Sequence, residues 1–349
     1  MPPVSNIKHA EIQDLDQHPV AFQGAVEEQV PVIDVADLML DSSSVSSVEA
    51  IDQIAMACRS WGFFQVINHG ISSEQIKQVW QQTHALFAMP IEEKLTIKRS
   101  KQNPWGFYNR ELTKNQLDKK EVFDFTQAGV DPVYGQTNRW PKNQPALKST
   151  MMAYLDDCTE LSLKLLEGFC LGLDLPAKFM HSNFESNHTG FVRLNYYPLE
   201  TTASSLRDSQ GEADLGIHHH TDAGGFTVLL QDEVSGLQVH RDGMWHDIPT
   251  IADAMVINTG DMMQVWSNDI YKAPIHRVLA MESNDRYSIP FFFNPSASCE
   301  VKPLPSVVSE QNPEHYNPIL WGNFRGKRSD GDYADYGTEV QISQFRKLY

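Results

Sequence analysis

From Phe191 onward the chain is a series of short β-rich runs broken by turn signals. The runs fall at 191–197, 226–230, 236–240, 254–258, 263–266, 275–281 and 286–293, separated by pairs such as Gly224-Gly225, Asp242-Gly243 and Gly260-Asp261. Strands this short and this closely spaced have few packed solutions, and a sandwich or jelly roll is the commonest.

The first half is patterned differently. Pro31-Val-Ile-Asp-Val35 reads as a short strand and Phe63-Phe-Gln-Val-Ile67 as a second, closed by Asn68-His-Gly70. Ser46-x-x-Glu49 and Ser72-x-x-Gln75 have the form of capping boxes, each followed by apolar residues at helical spacing. Trp61-Gly62 ends the first of these helices and Pro90 stops the second. Residues 91–145 read as irregular, and 146–173 as one long amphipathic helix. The first 29 residues are expected to be a loosely tied arm, and the stretch from Lys327 to Tyr336 a polar surface wrap. The expected division is a mixed helical region over 1–175, packed on a β-structured region over 176–349, the two forming one structural unit.

Composition narrows the partners. With 28 basic and 45 acidic residues the net charge is −17, which repels phosphate backbones and excludes nucleic acid as a natural partner. No apolar run reaches the roughly 18 residues of a membrane span, and the start lacks the apolar core of a secretory signal. The four cysteines, Cys58, Cys158, Cys170 and Cys299, show no CxxC spacing, so free thiols in a reducing cytoplasm are expected. The expected protein is a cytoplasmic monomer acting on a small molecule.

The candidate chemistry starts at His218-His-His220, followed by Thr221 and Asp222. Strand side chains alternate, so His220 and Asp222 share a face and can grip one side of a metal ion. One further imidazole would complete a facial triad with open positions, the arrangement suited to non-haem Fe(II). Alone, His-x-Asp is a weak signal, common by chance, and reads more readily as a polar turn before Gly224-Gly225. Downstream, His276-Arg277 lies in a β-rich run, and ten residues later comes Arg286-Tyr-Ser288. A guanidinium fork and a hydroxyl on one strand face suit a small carboxylate.

In this order the motifs are specific. Trp61-Gly-Phe-Phe-Gln-Val-Ile-Asn-His-Gly70, Asn195-Tyr-Tyr-Pro198, His220-Thr-Asp222, Gly236-Leu-Gln-Val239, Asn258-Thr-Gly-Asp261, His276-Arg277 and Arg286-Tyr-Ser288 resemble the Fe(II)- and 2-oxoglutarate-dependent dioxygenases of the isopenicillin N synthase-like family. The resemblance runs roughly from Pro31 to Phe293. It implies a double-stranded β-helix with an N-terminal helical region, and an oxidoreductase needing Fe(II), 2-oxoglutarate and O2. It implies His220, Asp222 and His276 as iron ligands. Arg286 and Ser288 would hold the far carboxylate of 2-oxoglutarate, and Asn195 and Tyr197 would also touch it. The reaction would oxidise a C–H bond of a small metabolite, by hydroxylation, desaturation or ring closure (kainoid-type closure is one example), releasing succinate and CO2. The other readings are a ring-forming iron oxidase of the same scaffold that does not use 2-oxoglutarate, and a non-catalytic metal-binding β-sandwich.

Four more residues are candidates for the substrate side. Arg193 alternates onto the same face as Asn195 and Tyr197, and a buried arginine needs an anion, which is either a carboxylate of the substrate or, equally, one of the chain's own acids in a salt bridge; the first reading gives a carboxylate-bearing substrate. Phe292 and Asn294 continue the face of Arg286 and Ser288. Tyr108 lies in the region where relatives contribute a substrate loop. His218, about 7 Å along the strand from His220, is expected to stay outside the ligand set.

Overall fold

The computed structural model describes residues 29–113, 116–127, 129–185, 187–199, 215–281, 283–331 and 340–348. Most of the expected N-terminal arm, and residues 332–336 of the expected surface wrap, lie outside them.

In chain order the strands are β1 (Val32–Asp34), β2 (Phe63–Ile67), β3 (Gly106–Tyr108), β4 (Leu112–Thr113), β5 (Gln116–Leu117), β6 (Glu121–Thr126), β7 (Phe191–Tyr197) and β8 (Leu215–His220). There follow β9 (Phe226–Gln231), β10 (Leu237–Arg241), β11 (Met244–Asp247), β12 (Met255–Thr259), β13 (His276–Leu279), β14 (Arg286–Phe293), β15 (Glu300–Val301) and β16 (Ile319–Leu320). The helices are α1 (Ala36–Leu40), α2 (Val48–Ser60), α3 (Ser73–Phe87), α4 (Ile91–Thr96), α5 (Pro145–Leu171), α6 (Asp261–Trp266) and α7 (Trp321–Gly331).

One sheet has eight strands in the order β1-β2-β12-β9-β14-β7-β6-β3, and a second has four, β11-β10-β13-β8. A cavity lined from both sheets lies between them, the arrangement of a double-stranded β-helix. The strand order crosses residue 175 freely, because β1, β2, β3 and β6 from the first half complete the large sheet. Helices α1, α2, α3 and α5 cover the outer face of that sheet with a shared apolar core. Within it Phe169 of α5 meets Phe226 of β9 edge-on at 5.0 Å. Strand β9 is buried along its whole length, one face against this core and the other toward the cavity.

The capping box at Ser72 forms as expected, with Ser72 and Gln75 satisfying each other's backbone donors. The one expected at Ser46 does not. Ser44 instead caps a short 3-10 turn by accepting from the Ser46 amide, and α2 starts at Val48. The run at 263–266, expected as a strand, is part of α6. Met262, Met263, Val265 and Trp266 are all buried, so the apolar run carries no alternation to mark its period. Residues 91–145 are more ordered than expected. They include α4 and β6, whose Glu121-Val-Phe-Asp-Phe-Thr126 sequence is interrupted by a buried acid. The start of the expected surface wrap is helical, since Lys327 and Arg328 belong to α7. The four cysteines are free and buried.

Gly62 ends α2 with φ +65°, and a Cβ there would stand 2.5 Å from the Lys272 carbonyl and 2.8 Å from Pro274 Cδ. Gly62→Ala is therefore expected to cost clearly more than the ~1–2 kcal/mol of a left-handed backbone alone. Gly243, φ +77° with open space around it, should cost only that backbone amount when changed to Ala. Denaturant midpoints of the two variants, compared side by side, check the difference.

Candidate active site

Strands β8 and β13 pair so that His220 and His276 stand opposite each other, with ring centroids 4.3 Å apart. Asp222, in the turn after β8, completes the group. One ligand atom from each residue lies within 4.8 Å of the other two. The Nε2 atoms of His220 and His276 are 3.7 and 3.6 Å from Asp222 Oδ1.

The surroundings of each residue leave one atom available. His220 Nδ1 lies 2.7 Å from the His218 carbonyl and His276 Nδ1 3.1 Å from the Pro274 carbonyl. A ring that donates from Nδ1 keeps the Nε2 lone pair for a metal. Asp222 Oδ2 accepts from Thr227 Oγ1 and, at 2.8 Å, from Asn258 Nδ2, which leaves Oδ1 facing the imidazoles. Burial, and then the neighbouring His276, push the His220 imidazole down to about 3. Burial works to raise the Asp222 carboxyl, but His276, His220 and the two hydrogen bonds outweigh it and hold it below the usual carboxylate range. Neutral imidazoles and an ionised carboxylate are the forms that bind a divalent ion.

The segment Asn258-Thr-Gly-Asp261 ties the loop down. The Asp261 amide donates to the Asp222 carbonyl at 2.7 Å. Thr259 Oγ1 donates to the carbonyls of Gly62 and Lys272, which joins the end of α2 to the segment leading into His276. At Gly260 a Cβ would come within 2.4 Å of the Gly224 carbonyl, so only glycine allows this close approach.

The Arg286 end of the cavity is built by β7 and β14, paired with Arg286 opposite Tyr197 and Ser288 opposite Asn195. Arg286 is 1% exposed. Its Nε donates to the Val234 carbonyl and its Nη2 to Gln231 Oε1, while Nη1 is buried without a partner among the described residues. Asn195 Nδ2 donates to Ser288 Oγ at 3.2 Å, and Asn195 Oδ1 is likewise unmet. Because Ser288 Oγ accepts from Asn195, its own hydrogen is free to donate elsewhere. Leu229, Leu237, Val278 and Ile217 form the apolar wall beside this group. A small dicarboxylate fits such a place: a charged donor cluster at the end and methylene-sized apolar walls before it.

Arg193, Phe292 and Asn294 also line the cavity. Arg193 does not present an unmet charge. Its Nε and Nη2 fork onto the two oxygens of Asp124 at 2.7 and 2.8 Å, and Nη1 reaches Glu111 Oε2 at 2.7 Å. Those acids belong to a buried network in which Arg99, Lys120 and Arg193 face Glu111, Asp118 and Asp124, three charges of each sign. Burial alone would raise the Glu111 carboxyl, yet Arg193, Lys120 and Arg99 hold it well below the usual range. The anion that a buried arginine requires is thus supplied from within, and Arg193 gives no reason for an acidic substrate. Tyr108 does not line the cavity, its ring being turned to Arg99 with the guanidinium carbon 4.7 Å away. His218 stays outside the ligand set, with Nδ1 3.5 Å from Asp118.

Thr227, Asn258 and the charge network had no role assigned from sequence. Nor did Trp321, Arg325 and Arg328, which line the cavity from α7 at i, i+4 and i+7 spacing, the one signal that could have grouped them.

Comparison with known proteins agrees with this geometry. Residues 188–295 match the family model of the 2OG-Fe(II) oxygenase superfamily, and residues 30–143 match that of the non-haem dioxygenase in morphine synthesis N-terminal region. Jasmonate-induced oxygenase 2 of Arabidopsis thaliana is 31% identical over 318 residues, covering 90% of this chain and 83% of that protein. A crystal structure of JOX2 with 2OG, Fe and JA superposes with TM-score 0.77 at 26% identity, covering 97% of each chain. A full-length Neurospora crassa protein in complex with alpha-KG and 5-formyluracil gives 0.76 at 26% identity, over 88% of this chain and 99% of that one. The chain belongs to the Fe(II)- and 2-oxoglutarate-dependent oxygenases, and is a non-haem iron dioxygenase.

If Thr227 and Asn258 fix the Asp222 carboxylate, Asn258→Leu and Thr227→Val should each weaken divalent-metal binding about 10–100-fold. Anaerobic titration with Fe(II) or Co(II) measures this. An unchanged affinity in both variants would remove them from the metal centre.

Proposed function

We propose that His220, Asp222 and His276 hold the iron, that Arg286 and Ser288 hold the far carboxylate of 2-oxoglutarate, and that Asn195 and Tyr197 contact its chain. The enzyme then oxidises one C–H bond of a small, carboxylate-bearing metabolite, by hydroxylation, desaturation or ring closure. The observation that carries the cosubstrate reading is the unmet donor pair at the closed end: Arg286 Nη1, buried and unpartnered among the described residues, and the Ser288 hydroxyl freed by Asn195. A buried guanidinium nitrogen without an acceptor is costly, and a carboxylate removes that cost.

Iron with 2-oxoglutarate and O2 supplies oxidative decarboxylation to succinate and CO2, and with it the means to attack an unactivated C–H bond. The chain's own work is positional. The carbonyls of His218 and Pro274 fix both imidazole tautomers. Thr227 and Asn258 restrict Asp222 to one ligating oxygen. Leu229, Leu237 and Val278 exclude water from the cosubstrate's methylenes. Phe292 and Asn294, on the continuation of the Arg286 strand, serve the substrate. Arg193 acts here as a wall fixed by Asp124 and Glu111. No helix among the described residues is long and apolar enough to cross a membrane. The four unpaired cysteines support a cytoplasmic setting.

Coupled succinate release over a panel of small acids tests the reaction. His220→Ala, Asp222→Ala and His276→Ala should each lose nearly all turnover, and any one that keeps the wild-type rate with added Fe(II) misassigns the triad. Arg286→Leu should raise the 2-oxoglutarate concentration needed by roughly ten- to hundredfold, the equivalent of about 1.5–3 kcal/mol for a charged hydrogen bond. Unchanged 2-oxoglutarate affinity by calorimetry rejects that role.

A further inference from the structure

The cavity holds a second arginine whose situation is the reverse of Arg193's. Arg325, on α7, lines the cavity and is only 6% exposed. No hydrogen bond or ion pair reaches its guanidinium among the described residues, and its Nη1 is buried and unmet. Aromatic faces surround it instead. The guanidinium carbon lies 5.8 Å from the ring centroid of Trp105, 5.5 Å from Tyr134 and 5.7 Å from Phe191. Asp131 is the carboxylate that acts on it electrostatically, but it lies beyond ion-pair distance, and its Oδ1 is occupied by the amides of Val133 and Tyr134. Burial accordingly pulls the guanidinium below its ordinary pKa, with only partial opposition from Tyr134 and Asp131.

Cation–π contact offsets part of the cost of burying a guanidinium. It does not satisfy N–H donors. The network around Arg193 is balanced within itself, and Asp131, buried with its Oδ2 unmet among the described residues, attracts Arg325 only from beyond ion-pair distance, so the Nη1 donor of Arg325 is left for an acceptor from a ligand. It also stands away from the cosubstrate clamp. Arg286 pairs with Tyr197 at one end of β7, and the ring over Arg325 belongs to Phe191 at the other. Six residues of extended strand separate those ends by about 20 Å. An anion at Arg325 therefore does not compete with 2-oxoglutarate at Arg286.

Arg328, one turn further along α7, keeps the helix in place. Its Nη2 donates to the Thr221 carbonyl at 3.0 Å, between His220 and Asp222, and its Nη1 to the Val340 carbonyl at 3.2 Å. Arg328 thus links the helix that carries Arg325 to the backbone between His220 and Asp222, and Trp321 at the start of that helix donates to Thr189 Oγ1 at 2.7 Å.

We infer that Arg325 is the substrate's anion site: it takes a carboxylate of the substrate through Nη1, with the rest of the substrate extending past Phe292 toward His220 and Asp222. This deepens the function proposed above and rests on it. It assigns the acidic-substrate role to α7 in place of Arg193.

The test uses the full chain, loaded anaerobically with Fe(II) and 2-oxoglutarate. Binding of 3-phenylpropionate and hexanoate is titrated against their primary amides, which match them in shape without the charge. The wild type should bind at least one acid ten- to hundredfold more tightly than its amide. Arg325→Met should erase that preference by weakening the acid and leaving the amide within about threefold. Arg325→Lys should restore part of it, which separates a lost charge from lost packing. Acids and amides bound equally by the wild type, or a preference kept in Arg325→Met, overturns the proposal. So does a large loss of unfolding midpoint in Arg325→Met with the acid preference retained, since that marks a partner within the protein. A separate titration of 2-oxoglutarate into the wild-type iron form reports on the Arg286 end. Its failure removes the underlying oxygenase geometry, whereas failure of the acid preference alone removes only the role of Arg325.

Discussion

The two oxygens of Asp222 are divided between structure and chemistry, and much of the molecule serves that division. One oxygen is taken by Thr227 and Asn258, and the other is left to face His220 and His276. A carboxylate free to rotate would offer a metal a choice of geometries, and two donors on one oxygen remove the choice. The donors come from β9 and β12, neighbours in the large sheet. Asn258 belongs to a segment whose next three residues grip the end of α2, the Asp222 loop and the approach to His276. The imidazoles belong to the small sheet and the orienting donors to the large one, so the centre forms only where both sheets are in register.

The cavity treats its four arginines in four ways. Arg193 is saturated by acids, Arg328 donates to backbone carbonyls, Arg286 is half satisfied by Val234 and Gln231, and Arg325 is met by rings, with Asp131 beyond ion-pair distance. In a low-dielectric space the unmet donor, not the charge itself, marks where a ligand belongs. A balanced network of six charges is a stiff wall: removing one partner leaves an uncompensated buried ion, at a cost of about 3–5 kcal/mol.

The sequence was most legible where a motif is local. His220-x-Asp222, the Arg286-x-Ser288 alternation and the Ser72 capping box depend on neighbours two or three residues apart, and the backbone period carries the information. The long helix and most core strands were legible for the same reason. Asp124 shows the opposite case. Its partners, Arg99 and Arg193, are 25 and 69 residues away. Nothing in Glu121-Val-Phe-Asp-Phe-Thr126 announces that the acid is buried, so the strand was missed and Arg193 was credited with an anion it does not need. The 263–266 run failed because every apolar side chain in it is buried, and a residue buried on all sides leaves no period to read. Arg325 was beyond reach altogether, because its aromatic neighbours come from residues 105, 134 and 191, three separate parts of the chain.

One wall of the cavity is helix α7, while His220, His276, Arg286 and Ser288 stand on sheet strands and Asp222 in the turn after β8. Helix α7 contributes no strand to either large sheet; Trp321, buried, ties its start to Thr189 Oγ1, and the Arg328 guanidinium ties it to the backbone carbonyls of Thr221 and Val340. Carbonyl acceptors are present whatever the side chains around them, so that tie survives changes on the rest of the helix. Arg325, which makes neither of these ties, can therefore vary without disturbing the sheet register on which the reaction depends. A scaffold arranged in this way can change what one helix face presents to the cavity while the sheets that carry the His-Asp-His group stay as they are.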